Sequence, residues 1–207
     1  MIHSRFTYVS TNARNVMTNS IFIRTFVTIA AALLITGCET IPPMSFSVPN
    51  VGVSQNKIDA ELKSLTVNVA RPDEQKGDLD IGPGVIDLWK TSLTEALDRM
   101  VIFQDDSSRK VSLSVKVLKL DAPAAGASMT TDTVAVYEIT DRKTGDLIYT
   151  QEISSSGTVP FDYAFMGLIR ARESINRSVQ NNISSFLQAL ETVDVSKPMF
   201  PVSKAEK

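Results

Sequence analysis

The feature of this sequence that most constrains its fold is one long apolar stripe near the carboxyl terminus. From about residue 162 to residue 190, large apolar residues recur at steps of three and four, which is the spacing of one face of an α-helix. The stripe consists of Phe165, Leu168, Ile169, Ile175, Val179, Ile183, Phe186, Leu187 and Leu190. Asp162 is the candidate N-cap. A helix with a single apolar face must pack on a second layer, so the chain is predicted to form a layered fold.

A second, shorter stripe begins at Pro83 or Gly84 and predicts the first helix. Its inward positions are Val85, Leu88, Trp89, Ser92, Leu93, Ala96, Leu97 and Met100. Trp89 has two interpretations, as the core anchor of this helix or as a ligand-stacking residue, and the first is favoured.

Alternating apolar and polar residues predict the strands. They lie at residues 65–69, 101–103, 111–117, 131–140 and 147–156. The alternation changes phase at Leu118 and Leu120, which predicts a β-bulge. Residues 141–146 predict a hairpin, with Gly145 at a position of positive φ. The fold class is therefore predicted to be α+β, a two-layer sandwich in which a mainly antiparallel sheet of about five strands carries two amphipathic helices on one face.

An apolar run precedes the only cysteine, Cys38. The thirteen residues from Thr25 to Gly37 are apolar or small, and Arg24 lies ahead of them. A membrane-spanning helix needs about 20 apolar residues, so this run is typical of a secretory signal instead. Residues 1–37 are predicted to be the signal, and a start at Met17 would give it a more ordinary length.

The run ends in Ile35-Thr36-Gly37-Cys38, which resembles the lipobox of bacterial lipoproteins. The resemblance implies that the Cys38 sulfur receives diacylglycerol, that the chain is cut before it, and that the new amino group is acylated. A buried free cysteine is the alternative. In the enteric-type sorting rule, an aspartate directly after the lipidated cysteine favours the inner membrane. This chain has Glu39 at that position. The resemblance therefore implies the outer membrane, facing the periplasm.

The part that follows the predicted signal is mildly acidic, with 23 acidic and 18 basic residues. No general attraction for nucleic acid is expected from this charge. His3, the only histidine, lies in the predicted signal, and Cys38 is predicted to be lipidated. Catalysis by Ser-His-Asp or Cys-His arrangements is therefore excluded, together with zinc or haem held by His or Cys. No cofactor and no metal site are expected.

The predicted mature chain has three parts. Residues 38–64, rich in Pro, Ser and Asn, are predicted to be the lipidated cysteine and a flexible tether. Residues 65–191 are predicted to form a single α+β domain, and residues 192–207 a loose tail.

Two sequence blocks support a resemblance to a family. The block Leu88-Trp89-x3-Leu93-x3-Leu97, a β-meander that ends at residues 144–148, and a terminal amphipathic helix resemble the PqiC-type auxiliary lipoproteins of ABC lipid transporters. The order of elements is also similar to that of YajG-type lipoproteins and of the amino-terminal domain of TolB. This resemblance implies a binding or scaffolding module, and it transfers no catalytic residue.

Two groups of residues are candidates for partner binding. The Ser/Thr-rich strand 150–158 is predicted to be a sheet edge open to strand addition by a partner, with a plain polar edge as the alternative. Arg170 and Arg177 are a heptad apart and share one face of the predicted helix, where they could bind a partner. A solvated helix surface is the alternative. The candidate residues are Thr150, Glu152, Ser154, Ser156, Arg170 and Arg177.

These observations leave three functions open. The leading hypothesis is a non-enzymatic, membrane-anchored lipoprotein that binds an envelope protein in envelope assembly or lipid transport. The second is a carrier that holds a lipid or another hydrophobic ligand in an apolar pocket between helices and sheet. The third is a glycan-cleaving enzyme, which would need two facing carboxylates in a cleft.

Overall fold

The structure, a computed structural model, describes residues 41–79 and 81–200. The predicted signal, Cys38 and Asp80 lie outside these ranges. The elements in chain order are β1 (Glu61–Val69), α1 (Val85–Met100), β2 (Lys110–Asp121), β3 (Met129–Asp141), β4 (Leu147–Val159), a 3-10 turn (Phe161–Tyr163) and α2 (Gly167–Leu190). Neither α1 nor α2 is long and apolar enough to cross a membrane.

The strands form one mixed sheet in the order β1-β2-β3-β4. β2, β3 and β4 form an antiparallel meander, whereas β1 pairs with β2 in parallel. The α+β class is confirmed, but the sheet has four strands rather than about five. Residues 101–103 contribute only a bridge between Phe103 and Ile58. The parallel pair arises because α1 returns the chain to the end of the sheet where β1 began.

Two local predictions in the meander are confirmed. Up to Val117 the odd-numbered residues of β2 are buried, and Leu118 and Leu120 are the next to be buried. The pairing with β3 shifts register between Val117 and Lys119, which is the predicted bulge. In the hairpin between β3 and β4, Gly145 has a φ of 80°.

The long helix begins later than its apolar stripe predicts. The 3-10 turn occupies Phe161–Tyr163, and Ala164 is extended, with φ −158° and ψ 146°. Asp162 therefore lies in the turn, and Met166 occupies the N-cap position of α2. Because the helix starts at Gly167, Phe165 precedes it and is 89% exposed.

The expected tether does not hold for residues 41–64, because part of this segment enters the core. Phe46 and Val48 are buried, and Phe46 meets the ring of Trp89 edge-on at 6.4 Å. We call residues 44–48 the wedge segment. The backbone N–H of Ser45 donates to Asn176 Oδ1 on α2 at 3.0 Å. Arg99 on α1 donates to the carbonyl of Val48 at 3.3 Å.

The wedge segment thus lies between the two helices, and its alternating apolar residues fill the groove there. It forms no strand. Further along, Ile58 and Ala60 are also buried, and β1 starts at Glu61 rather than at Leu65.

The described part of the expected loose tail is also packed. Val195 is buried. The backbones of Leu147 and Phe200 exchange two hydrogen bonds of 3.0 Å, so the chain near residue 200 pairs with the start of β4.

Candidate docking surface

β4 lies at one edge of the sheet, as its polar sequence predicts. Its side chains alternate between two surroundings. Ile153, Gly157 and Val159 are buried, whereas Glu152, Ser154 and Ser156 are exposed and Thr150 is partly exposed. The four candidate residues of this strand therefore share the face of the sheet that looks away from the helices.

Glu152 is engaged by a loop that follows β1. Lys76 Nζ lies 2.6 Å from both carboxylate oxygens of Glu152. The same loop is held to β2 by a hydrogen bond of 3.0 Å from the Lys76 N–H to the Leu118 carbonyl. Both side chains of the ion pair are partly exposed, so its net contribution to stability is expected to be at most about 1 kcal/mol. Lys76 thus balances the charge of Glu152, and the other exposed candidate residues of β4, Ser154 and Ser156, carry no charge.

The carboxyl-terminal half of the β4 edge is covered by side chains of α2. Asn181 Nδ2 donates to the carbonyl of Ser156 at 2.8 Å, and Arg177 Nη1 donates to the carbonyl of Thr158 at 3.1 Å. These bonds satisfy backbone acceptors that an added strand would otherwise use.

The amino-terminal end of the same edge is covered by the chain near residue 200. Besides the Leu147–Phe200 pair, the N–H of Thr150 points at Met199 Sδ at 3.4 Å. Because backbone groups alternate along a strand, the N–H groups of Glu152 and Ser154 point to the same side as that of Thr150. The stretch Glu152–Ser154 lies between the two covered ends.

Arg170 is buried, so the exposed position expected for it on the helix surface is wrong, and its role in partner binding stays a prediction. Its Nη1 donates to the carbonyls of Ala164 and Phe165 at 2.6 and 3.0 Å, and its Nη2 donates to the carbonyl of Gly126 at 3.2 Å. The guanidinium carbon also lies 4.9 Å from the centre of the Phe161 ring. The guanidinium group therefore donates to three backbone carbonyls that the fold brings together around it.

Arg177 is half-buried and makes internal contacts as well. Its Nε donates to Glu173 at 2.8 Å, and its guanidinium carbon lies 5.2 Å from the centre of the Tyr163 ring. Its hydrogen bond to β4 is with the Thr158 carbonyl, beyond the exposed candidate residues. The two arginines and the exposed β4 row therefore do not form one site.

The sequence interpretation missed a buried polar seam between α2 and the sheet. Ser174, Ser178 and Asn182 stand four residues apart on α2 and are buried. Their partners on β3 are Thr131, Thr133 and Tyr137, with oxygen–oxygen distances of 2.7, 2.7 and 2.9 Å. The sequence did contain a signal for this seam, namely polar residues at helical spacing on α2 and two threonines at strand spacing on β3.

Gly157 lets the helix approach closely at this seam. A Cβ atom on it would lie 2.4 Å from both the Ser174 carbonyl oxygen and the Ser178 backbone nitrogen. Such distances leave no room for any side chain, so Gly157 is required by close approach of two backbones.

The space between helices and sheet, where the alternative carrier hypothesis requires a pocket, holds packed side chains. The rings of Tyr137 and Phe186 stack there with their centroids 4.1 Å apart. A cleft of about 440 Å³ lies instead at the surface between β1 and α1. Its lining combines three leucines with charged and hydroxyl side chains, namely Leu62, Lys63, Ser64, Leu65, Lys90, Thr94, Leu97 and Asp98.

Two carboxylates face each other across β2 and β3. Asp121 and Asp132 are register partners, and Lys119 Nζ lies 3.4 and 3.3 Å from them. Burial opposes the charge on Lys119, but its bonds to Asp132 and Asp121 outweigh this and raise its pKa. Lys119 is thus the shared ion-pair partner of the two carboxylates. Within the described ranges, no three His, Cys, Asp or Glu residues cluster closely enough to hold a metal ion.

Comparison with known proteins gives a distant structural likeness. No protein-family model and no curated protein matches the chain. Among solved structures, protein XCC0632 from Xanthomonas campestris, of family DUF330, is 10% identical with a TM-score of 0.49 and covers 70% of this chain and 90% of its own. A minor lipoprotein from Acinetobacter baumannii is 13% identical with a TM-score of 0.37, covering 64% and 92%.

The PelC dodecamer from Paraburkholderia phytofirmans is 11% identical with a TM-score of 0.40, covering 66% of this chain and 91% of its own. At these scores the likeness assigns no family to the chain. The expected resemblance to PqiC-type, YajG-type or TolB proteins stays a prediction.

Proposed function

We propose that this chain is a lipid-anchored, non-enzymatic protein of the bacterial outer membrane, facing the periplasm, that docks an envelope protein in envelope assembly or lipid transport. The observation that carries the docking part is the position of Glu152–Ser154, in an edge strand between two covered stretches. The anchor part is supported by the apolar run that ends at Cys38.

Lipidation at Cys38 would hold the domain on a membrane without a spanning helix. One acyl chain gives only reversible binding, because each buried methylene contributes about 0.8 kcal/mol. The three chains that the lipobox implies would make the attachment stable.

Docking would occur by addition of an extended segment of the partner beside β4. An edge strand offers backbone donors and acceptors at a two-residue repeat, which a second extended chain can pair with. The covered ends restrict this pairing to about three residues of β4, so specificity would come from the exposed row of Thr150, Glu152, Ser154 and Ser156.

The docking part is tested by Ser154→Pro, with Ser154→Ala as the matched control. Proline removes the N–H that points away from β3, whereas alanine keeps it. Both variants should fold, and crosslinks to the partner in intact envelopes should be lost only in the proline variant. Crosslinks retained by a folded Ser154→Pro protein would rule out docking at this edge.

The anchor part is tested by Cys38→Ser, which should leave an unprocessed or non-acylated protein. Normal size and normal detergent partitioning of this variant would contradict lipidation. Substrate turnover by the purified protein, abolished by changing one carboxylate such as Asp132, would contradict the non-enzymatic proposal.

A further inference from the structure

An exposed apolar surface lies where β4 passes into α2. Five large apolar or aromatic side chains are exposed within eight residues: Phe161 (58%), Tyr163 (46%), Phe165 (89%), Met166 (40%) and Leu168 (54%). We call residues 161–168 the tip. Large apolar side chains scattered singly on a surface need no explanation, but a contiguous group marks a contact with a partner or a membrane.

The tip is held in place by buried interactions. The Arg170 guanidinium binds two tip carbonyls, those of Ala164 and Phe165, and the Gly126 carbonyl in the loop between β2 and β3. It also lies against the Phe161 ring. Hydrogen bonds from a charged donor are the stronger kind, and the one to the Ala164 carbonyl is buried while the other two are partly buried. The exposed rings are therefore presented by a fixed backbone.

The end of the molecule that bears the tip is poor in charge. Residues 122–131, whose loop is bound through Gly126 to Arg170, contain no charged residue. Residues 157–169 contain one, Asp162. Loops that face water are usually polar, whereas segments with little charge and projecting aromatic rings suit the boundary of a lipid bilayer.

The first described residues of the chain, 41–45, lie along α2 and extend towards this same end. Gln180 Nε2 donates to the carbonyl of Ser45, and Arg172 Nη1 donates to the carbonyl of Pro42, at 3.1 and 3.0 Å. The chain thus runs back towards the amino end of α2 as it approaches residue 41. Arg172 is about one helical turn from Leu168. Cys38 precedes Pro42 by four positions in the sequence, so covalent geometry keeps their two Cα atoms within about 14 Å of each other.

We propose that the tip inserts into the interfacial layer of the bilayer that the Cys38 lipid anchors. This inference rests on the proposed lipid anchor and adds a second contact with the same membrane. An acyl anchor alone leaves the domain free to rotate about one point. Phe165 and Leu168, together with the rings of Phe161 and Tyr163, would fix the amino end of α2 at the membrane surface.

The test uses the full-length lipidated protein in vesicles of phosphatidylethanolamine and phosphatidylglycerol, part of which carry bromine on their acyl chains. Phe165→Trp places a fluorescent probe in the tip. Val53→Trp is the matched control, because Val53 is 63% exposed and the neighbouring Ser54 binds Glu191 at the opposite end of α2. The signal of the parent protein, from the buried Trp89, is subtracted.

The proposal predicts that the protein floats with the vesicles and that brominated lipid quenches the Phe165→Trp probe several times more strongly than the Val53→Trp probe. Equal, weak quenching of both probes in floating protein would overturn tip insertion and leave the anchor standing. A blue-shifted Phe165→Trp probe that brominated lipid does not quench would mean that a protein, such as a second copy, covers the tip. Protein that fails to float would overturn the anchor, and tip insertion with it.

Discussion

The hydroxyl of Tyr137 donates a hydrogen bond of 2.9 Å to Asn182 Oδ1 in the interior between the sheet and the long helix. The amide of Asn182 also donates to the Ile153 carbonyl at 2.9 Å. One buried side chain of α2 thereby links β3 and β4. Buried polar groups that lose such partners are costly, because no water replaces them.

Asn182→Ala should destabilise the domain by about 2–4 kcal/mol, since the Tyr137 hydroxyl and the Ile153 carbonyl lose their partner together. Asn181→Ala should cost less than about 1 kcal/mol, because its bond to Ser156 is exposed. Denaturant unfolding measures both. Combining Asn182→Ala with Tyr137→Phe should cost clearly less than the sum of the single changes. Strict additivity would show that the two side chains are not coupled.

Gly157→Ala should cost at least about 2 kcal/mol, because the added methyl group would meet the backbone of α2 rather than a flexible side chain. Gly52→Ala is the control, since nothing lies within 4 Å of its Cβ position. Thermal unfolding of both variants is the measurement. Equal melting temperatures would mean that α2 does not lie this close to β4.

Phe46→Ala should cost about 3–5 kcal/mol, the usual loss for a large aromatic residue removed from a core. Val53→Ala, a few residues along the same segment but exposed, should change stability by less than about 0.5 kcal/mol. If chemical denaturation gave the same small change in unfolding free energy for both variants, residues 44–48 would be the flexible tether that their composition predicts.

Alkaline pH should destabilise the fold through its buried tyrosines. Burial raises the pKa of Tyr149 to about 12 and raises that of Tyr137 further, against about 10 in an unfolded chain. The unfolded state therefore loses protons first, and stability present below pH 10 falls as the pH rises towards 12. Unfolding free energies measured across this range should show a shallower fall in Tyr149→Phe. If Tyr149→Phe left the fall of unfolding free energy with pH unchanged, the Tyr149 hydroxyl would be solvent-exposed in the folded state.

Local patterns in the sequence predicted much of the fold. The stripe of α1, the stripe of α2 from Ile169 onwards, the bulge near Leu118 and the turn at Gly145 are all present, and each depends on neighbours within a few residues. The first two members of the α2 stripe, Phe165 and Leu168, are exposed instead. The parallel pairing of β1 could not be predicted in this way, because it depends on where α1 returns the chain. The wedge segment was misassigned for the same reason, since the groove that receives Phe46 is made by two distant helices.

The candidate site was predicted less well. The exposed row on β4 follows from its polar alternation, and the edge position is confirmed. The burial of Arg170 could not be inferred, because the carbonyls that surround it come from a loop more than forty residues away and from Ala164 and Phe165, which the apolar spacing had assigned to the helix. The tip includes these two residues and the 3-10 turn before them.

The packing of the wedge segment has a mechanical consequence. A lateral drag on residue 41 would act directly on Phe46 and Val48, because Ser45 is already bonded to α2 and Arg99 to the Val48 carbonyl. The segment runs alongside the helices, so the load would shear several hydrogen bonds and a buried ring at once instead of peeling them one by one. With the proposed anchor at Cys38, the domain would follow the movement of the anchor closely, and the hydrophobic core would bear the force on it.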